Sequence, residues 1–118
     1  METEIEARRA CRHMLKLAID GGLGGFKMRV WENLGWHCCL TSSHCSIHYD
    51  EYSDRYDAYM SDDGLGSYAE WTAHRSFTSP AKAFHAALDK ARAHTAQRAK
   101  LVADIEKHVK YKCIGAQQ

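Results

Sequence analysis

The chain reads as an α+β domain: an N-terminal helix, an antiparallel meander of four or five short strands, and a long C-terminal helix, straight or bent, packed on that sheet. Three observations predict this. Apolar residues recur at three- and four-residue spacing near both ends, they alternate at spacing two through the middle, and the intervening segments are short turns carrying glycine, serine and asparagine. With 118 residues and one proline, residues 1–118 fit a single domain that can bury a core without disulfides.

Residues 3–19 form the first predicted helix, because Ala7, Cys11, Met14, Leu15 and Ala18 share one helical face. Thr3 followed by Glu6 has the capping-box spacing, and Gly21-Gly22 supplies a stop. The following Gly21–Gly25 segment is a connection and not a phosphate loop, since no Gly-Lys-Ser/Thr follows it. From Phe26 the period changes to two. Phe26 to Trp31 is a strand, and Glu32 to Gly35 is a turn. Trp36 to Thr41 and Cys45 to Tyr49 are strands joined through Ser42-Ser43. Arg55 to Met60 and Ser67 to about Ser76 complete the meander around a loop at Ser61 to Gly66.

Ser79-Pro80 starts the second helix, with serine as cap and proline in the first turn. Phe84, Leu88, Ala91, Thr95, Arg98, Val102, Ile105 and Val109 then follow at alternating spacings of four and three, a heptad running to about Lys112. Unbroken, this helix is roughly 50 Å long and overhangs a domain whose radius of gyration should be roughly 13 to 14 Å. Thr95 and Arg98 are poor core residues. The first half is therefore expected on the sheet, and the second to bend away, pack on the first helix or form a homodimer contact.

Charge is unevenly distributed beneath a net +1. From Cys45 to Glu70 seven acidic residues stand against Arg55 alone, and from Trp71 onward nine basic residues stand against three acidic ones. Such polarity bears on partners and not on fold. No apolar run is long enough to span a bilayer, the first twenty residues are too charged for a signal peptide, and five cysteines lack the spacing of a disulfide scaffold. A cytoplasmic protein with reduced thiols and no membrane contact is expected.

The most chemical-looking stretch is HCCLTSSHCSIH, residues 37–48. His37, Cys39, Cys45 and His48 are a conceivable zinc set across a hairpin, but adjacent Cys38-Cys39 face opposite ways on a strand and the spacing matches no zinc knuckle. Buried Cys38 and Cys45 with exposed histidines is the simpler expectation, and no cofactor is implied. Cys39 or Cys45 beside a histidine resembles the start of a catalytic Cys-His pair, yet no nucleophile elbow or protease signature accompanies it, so no enzyme is expected.

Residues 48–64, HYDEYSDRYDAYMSDDG, interleave Tyr49, Tyr52, Tyr56 and Tyr59 with Asp50, Glu51, Asp54, Asp57, Asp62 and Asp63. Tyrosine supplies rigid contact area with a polar tip, and carboxylates beside it pair with lysine or arginine on a partner. These ten residues are the candidate partner-binding surface, for a protein with a basic face; the alternative is a solvated sheet face whose tyrosines shield a core. The acids lack the spacing and terminal glutamate of a calcium loop.

The basic tail, with Lys82, Lys90, Arg92, Arg98, Lys100, Lys107, Lys110 and Lys112, raises nucleic-acid binding, and the order helix, strands, helix resembles a double-stranded RNA-binding domain. That family's basic run at the start of its last helix is replaced here by Ser79-Pro80-Ala81-Lys82-Ala83, and the acidic sheet would repel phosphate.

Gly35-Trp36 entering a short strand, the aromatic and acidic meander, and Ser79-Pro80 opening the alanine-rich AKAFHAALDKA helix are together similar to small phage-encoded anti-CRISPR proteins of type I systems. The resemblance implies a non-enzymatic inhibitor in the bacterial host cytoplasm that docks on a subunit of the CRISPR surveillance complex, on lysine-rich surfaces meant for DNA. It transfers no role to any single residue.

Overall fold

The computed structural model describes residues 1–62, 68–71 and 77–117. Helix α1 (Glu4–Asp20) is followed by strands β1 (Lys27–Glu32), β2 (Trp36–Thr41), β3 (Cys45–Asp50), β4 (Arg55–Asp62) and β5 (Tyr68–Trp71), then helix α2 (Pro80–Gln117). The strands form one five-stranded antiparallel sheet in sequential order, which is the expected α+β meander. The expected extension of the fifth strand past Trp71 to Ser76 lies outside the described residues.

Local chemistry sets the element ends. The Thr3 hydroxyl accepts a hydrogen bond from the Glu6 amide at 3.1 Å, capping α1. The return half of the capping box is shifted by one residue, since the Glu6 carboxylate accepts from the Glu2 amide at 3.3 Å and not from Thr3. Ser79 caps α2 by accepting from the Lys82 amide at 3.2 Å, and Pro80 sits in the first turn, fully buried. Just before it, Phe77 exchanges backbone hydrogen bonds with Tyr56, tying the start of α2 to β4.

Both helices cover the same face of the sheet. Ala7, Cys11, Met14 and Ala18 are the buried stripe of α1. They meet a face built by alternate strand residues: Val30, Cys38, Leu40, Cys45, Ile47, Tyr56 and Ala58. The register aligns Met28 with Leu40 and Val30 with Cys38, then Leu40 with Ile47, Ile47 with Ala58, and Tyr49 with Tyr56. Ala83 and Ala87 bring α2 onto the β3–β5 side, and Phe84 meets Phe26 edge to face at 6.0 Å.

The close approach of the helices is visible at Gly21, where an added Cβ would lie 2.6 Å from the Ala81 Cβ. Its φ of −84° imposes no backbone demand, so the constraint is purely steric. Gly21→Ala is expected to lower stability by about 1 to 3 kcal/mol through displacement of the first turn of α2. Urea unfolding monitored by circular dichroism checks this, and an unchanged midpoint would mean that the two helix ends can separate freely.

Beyond Ala87, α2 contributes no fully buried side chain among those described, and Val102 and Ile105 are 52% and 53% exposed. The helix continues unbroken for 38 residues, the molecule measures 72 × 27 × 24 Å, and its radius of gyration is 19.6 Å. That exceeds the compact expectation because the outer half of α2 projects past the sheet.

Candidate acidic docking groove

At one end of the sheet the β1–β2 turn, the β3–β4 turn and residues Met1 to Glu6 enclose a groove of about 940 Å³. Its acidic lining comes from three separate places: Glu2 just before α1 with Glu6 in its first turn, Asp50 and Glu51 at the β3–β4 turn, and Asp57 on β4. Trp36, Tyr49 and Tyr52 supply aromatic surface. The N-terminal segment is held there by main-chain bonds, with the Met1 carbonyl accepting from the Trp36 amide at 2.7 Å and the Met1 ammonium donating to the Trp36 carbonyl at 3.1 Å and pairing with Glu51.

The turn that carries Asp50 and Glu51 is fixed by its own side chains. The Asp50 carboxylate accepts from the Ser53 amide at 3.0 Å and the Ser53 hydroxyl at 2.6 Å. Asp54 adopts φ 54°, a left-handed conformation that aspartate tolerates, and its carboxylate accepts from the Tyr49 hydroxyl at 2.9 Å. Burial, and then this bond, push the Tyr49 phenol up to about 12. Tyr52 projects from the turn at 91% exposure.

The opposite lip is the three-residue connection Asn33-Leu34-Gly35. Leu34 has φ 53° and is fully exposed, an unusual conformation and an unusual environment for leucine. Gly35, at φ 119°, completes the turn in a region where a side chain is disfavoured. Leu34 thus places a strained, solvent-facing apolar side chain at the rim of an acid- and aromatic-lined groove.

Of the ten residues expected at the partner surface, Tyr49, Asp50, Glu51, Tyr52 and Asp57 line the groove. Asp54 stands behind it, bonded to Tyr49. Tyr56 does not belong to the surface: its side chain is 5% exposed and packs in the core, because alternation points it, like Tyr49 opposite, toward the helices. Tyr59 shares the uncovered face of the sheet with Asp57. Asp62 ends β4, and Asp63 lies outside the described residues. Sequence reasoning missed Leu34 and Trp36, which the β1–β2 hairpin supplies, and Glu2 and Glu6, which reach the groove through the docking of Met1 on Trp36.

The zinc candidates are not brought together. Cys45 points into the helix-covered core, whereas Cys39 and His48 are cross-strand partners on the other face. Residues three apart on a strand face opposite ways, so Cys45 and His48 cannot grip one ion. Among the described residues no group of three His, Cys, Asp or Glu side chains could hold a metal. Cys39, expected on the outer face, is only 2% exposed. Burial pushes the Cys39 and Cys45 thiols up to about 11, so neither is poised as a thiolate nucleophile.

On the uncovered face Trp31 is clasped by its neighbours, with His37 stacked at 5.6 Å, His48 edge-on at 6.2 Å and the Arg29 guanidinium 5.1 Å from the ring centre. His37 Nε2 donates to the Asn33 carbonyl at 2.8 Å, and His48 Nε2 shares a hydrogen bond with the Ser46 hydroxyl at 3.0 Å. Burial lowers the His48 imidazole below its ordinary 6.5, with Asp57 opposing and Arg29 reinforcing the shift. The unfolded chain therefore takes up this proton first, and folding stability drains away as the pH falls below 6.5, by up to about 1.4 kcal/mol per pH unit. His48→Gln is expected to lose less stability than the parent between pH 7.5 and 5 in paired urea titrations; equal losses would show that His48 is protonated equally in both states.

The basic residues of α2 that could meet nucleic acid are partly engaged within the helix, Arg92 lying 3.9 Å from Asp89 and Lys107 3.8 Å from Asp104. No helix among the described residues is long and apolar enough to cross a membrane. No protein-family model, curated protein or solved structure matches this chain.

Proposed function

We propose that the protein is a non-enzymatic binding protein that docks its acidic groove on a basic surface of a protein partner. The observation that carries this reading is the convergence of five carboxylates from three chain segments on one groove, beside exposed Tyr52 and Leu34. Carboxylates so placed attract lysine and arginine, while the aromatic and leucine contacts supply area that excludes water. The resemblance to anti-CRISPR proteins names the partner class: a subunit of a type I CRISPR surveillance complex, whose DNA-binding lysines would be occupied by the groove. On this reading the protein is a stoichiometric inhibitor carried by a phage or mobile element and acting in the host cytoplasm.

The test is a plaque assay on bacteria bearing active type I systems, with and without this protein expressed. Plaques restored only for targeted phage, together with a salt-sensitive complex between the purified protein and a surveillance-complex subunit, support the reading. Failure to restore plaques across a panel of type I subtypes overturns the CRISPR assignment.

A further inference from the structure

Strand β1 is an edge of the sheet, hydrogen-bonded to β2 on one side. Alternate residues of an edge strand direct their N–H and C=O groups outward, where a further strand can take them up. Lys27, Met28, Arg29 and Glu32 of β1 are exposed. Helix α1 runs alongside, and the seam between helix and strand is not closed. Leu15, Lys16 and Ile19 border a hollow of about 250 Å³ against Met28. A smaller hollow of about 40 Å³ continues it between Arg8 and Val30, and Arg12 and Met28 line both. Ile19 is 58% and Met28 47% exposed, so an apolar side chain seated between them would take both out of water.

Charge decides what fits along this edge. Arg12 and Lys16 stand exposed on the helix side of the seam, and Lys27 and Arg29 stand exposed on the uncovered face of β1, Arg29 resting against Trp31. Arg12, Lys16 and Lys27 form no ion pair among the described residues, whereas Arg8 is held by Glu4. The acids nearby are Asp20 at one end of the seam and Glu32 at the other end of the strand. A second copy adding its own β1 about a two-fold axis would bring Arg12 and Lys16 of both helices together on one face, and Lys27 and Arg29 of both strands together on the other. Those like charges guard the edge against self-pairing, and the same charges admit an acidic strand.

We propose that β1 receives an extended acidic segment of a partner protein as a sixth strand of the sheet. Apolar side chains of that segment enter the seam beside Leu15, Ile19 and Met28. Its carboxylates meet Arg12 and Lys16 on one face and Lys27 and Arg29 on the other. Main-chain hydrogen bonds to β1 supply the affinity, and the seam and the four basic side chains select the sequence. This edge works independently of whatever the acidic groove binds.

Titration of the isotope-labelled full chain with a capped Glu-Ile-Glu-Val-Glu-Ile-Glu peptide, up to about 1 mM, tests this through amide chemical shifts. Amides of β1 and of the α1 face at Arg12 to Ile19 should move, and those of Asp50 to Asp54 should not. Arg12→Glu with Lys16→Glu should weaken binding at least about tenfold. Two further forms of the peptide, N-methylated at one or the other set of alternate amides, separate strand addition from charge attraction. The form methylated toward β1 should lose binding, and the other should keep it. That comparison leaves the protein unaltered, so it decides even if the charge variant misfolds. No shift up to the highest concentration, or equal effects of the two methylated forms, overturns the proposal. A peptide with lysine in place of glutamate that binds as well also overturns it. So does oligothymidylate that moves the same amides more strongly, which would make the edge a phosphate-binding surface. So, finally, do β1 shifts that follow protein concentration without peptide, which would make it a contact between copies.

Discussion

Leu40→Ala should lower the stability of the fold by about 2 to 5 kcal/mol. Leu40 is fully buried at the middle of β2, aligned with Met28 on one side and Ile47 on the other. The size of the effect follows from what surrounds it. The buried cluster is rich in small side chains, namely Cys11, Ala18, Cys38, Cys45, Ala58, Ala83 and Ala87, so Met14, Leu40, Ile47 and Tyr56 supply most of its apolar area. Small neighbours on closely packed helices and strands cannot swell into a void, and the cavity persists as lost dispersion contact. Against a typical total of about 5 to 15 kcal/mol, this is a large fraction of the domain's stability. Urea titration should show a lower midpoint with an unchanged slope. A loss under about 1 kcal/mol would mean that the sheet relaxes around the deletion, and that the core is looser than its burial implies. Val102→Ala, at a half-exposed position on the projecting half of α2, is the matched control and should cost about 0.5 kcal/mol or less.

Most of the fold was legible in the sequence because its signals are local. Thr3 and Ser79-Pro80 mark helix starts by hydrogen-bond chemistry that acts within four residues, and the strands follow from alternation. Alternation also assigns side chains to faces, which is why Cys38 and Cys45 were expected in the core, where they lie. It does not say how well a face is covered. Cys39 points away from both helices yet is almost fully buried, flanked in register by Arg29 and His48, long or broad side chains that close over a small thiol. The same gap explains Tyr56, which looked like a surface tyrosine among aspartates but shares the core-facing parity of Ile47 and Ala58. The groove was half visible. Its β3–β4 acids form one run in the sequence, but Glu2 and Glu6 join them through a contact between Met1 and Trp36, thirty-five residues apart, which no periodicity records.

Glu2→Lys combined with Glu51→Lys should abolish docking on a basic partner, lowering affinity by at least about 100-fold near physiological salt while leaving the fold intact. These two acids are chosen because they are the expendable ones structurally. Asp50 closes its turn by accepting from Ser53, Asp54 holds Tyr49, and Asp57 faces His48, so reversing any of those would confound binding with folding. Glu2 is exposed, and Glu51 makes only a solvent-facing pair with the Met1 ammonium, a kind of contact worth about 0 to 1 kcal/mol. The loss should fall mainly on the association rate, because the groove's field steers encounter from a distance. Added salt should reproduce it in the parent protein, as the screening length shrinks from about 8 Å at 0.15 M to about 3 Å at 1 M. Leu34→Gly separates charge from contact. It relieves the left-handed leucine by about 1 kcal/mol and so should hold or raise stability, yet it should speed dissociation by removing the apolar anchor at the rim. Surface plasmon resonance against the proposed partner, a surveillance-complex subunit, reads both rates. A double reversal that binds as the parent does, at rates insensitive to salt, would remove the groove as the docking site and shift attention to the uncovered sheet face around Trp31.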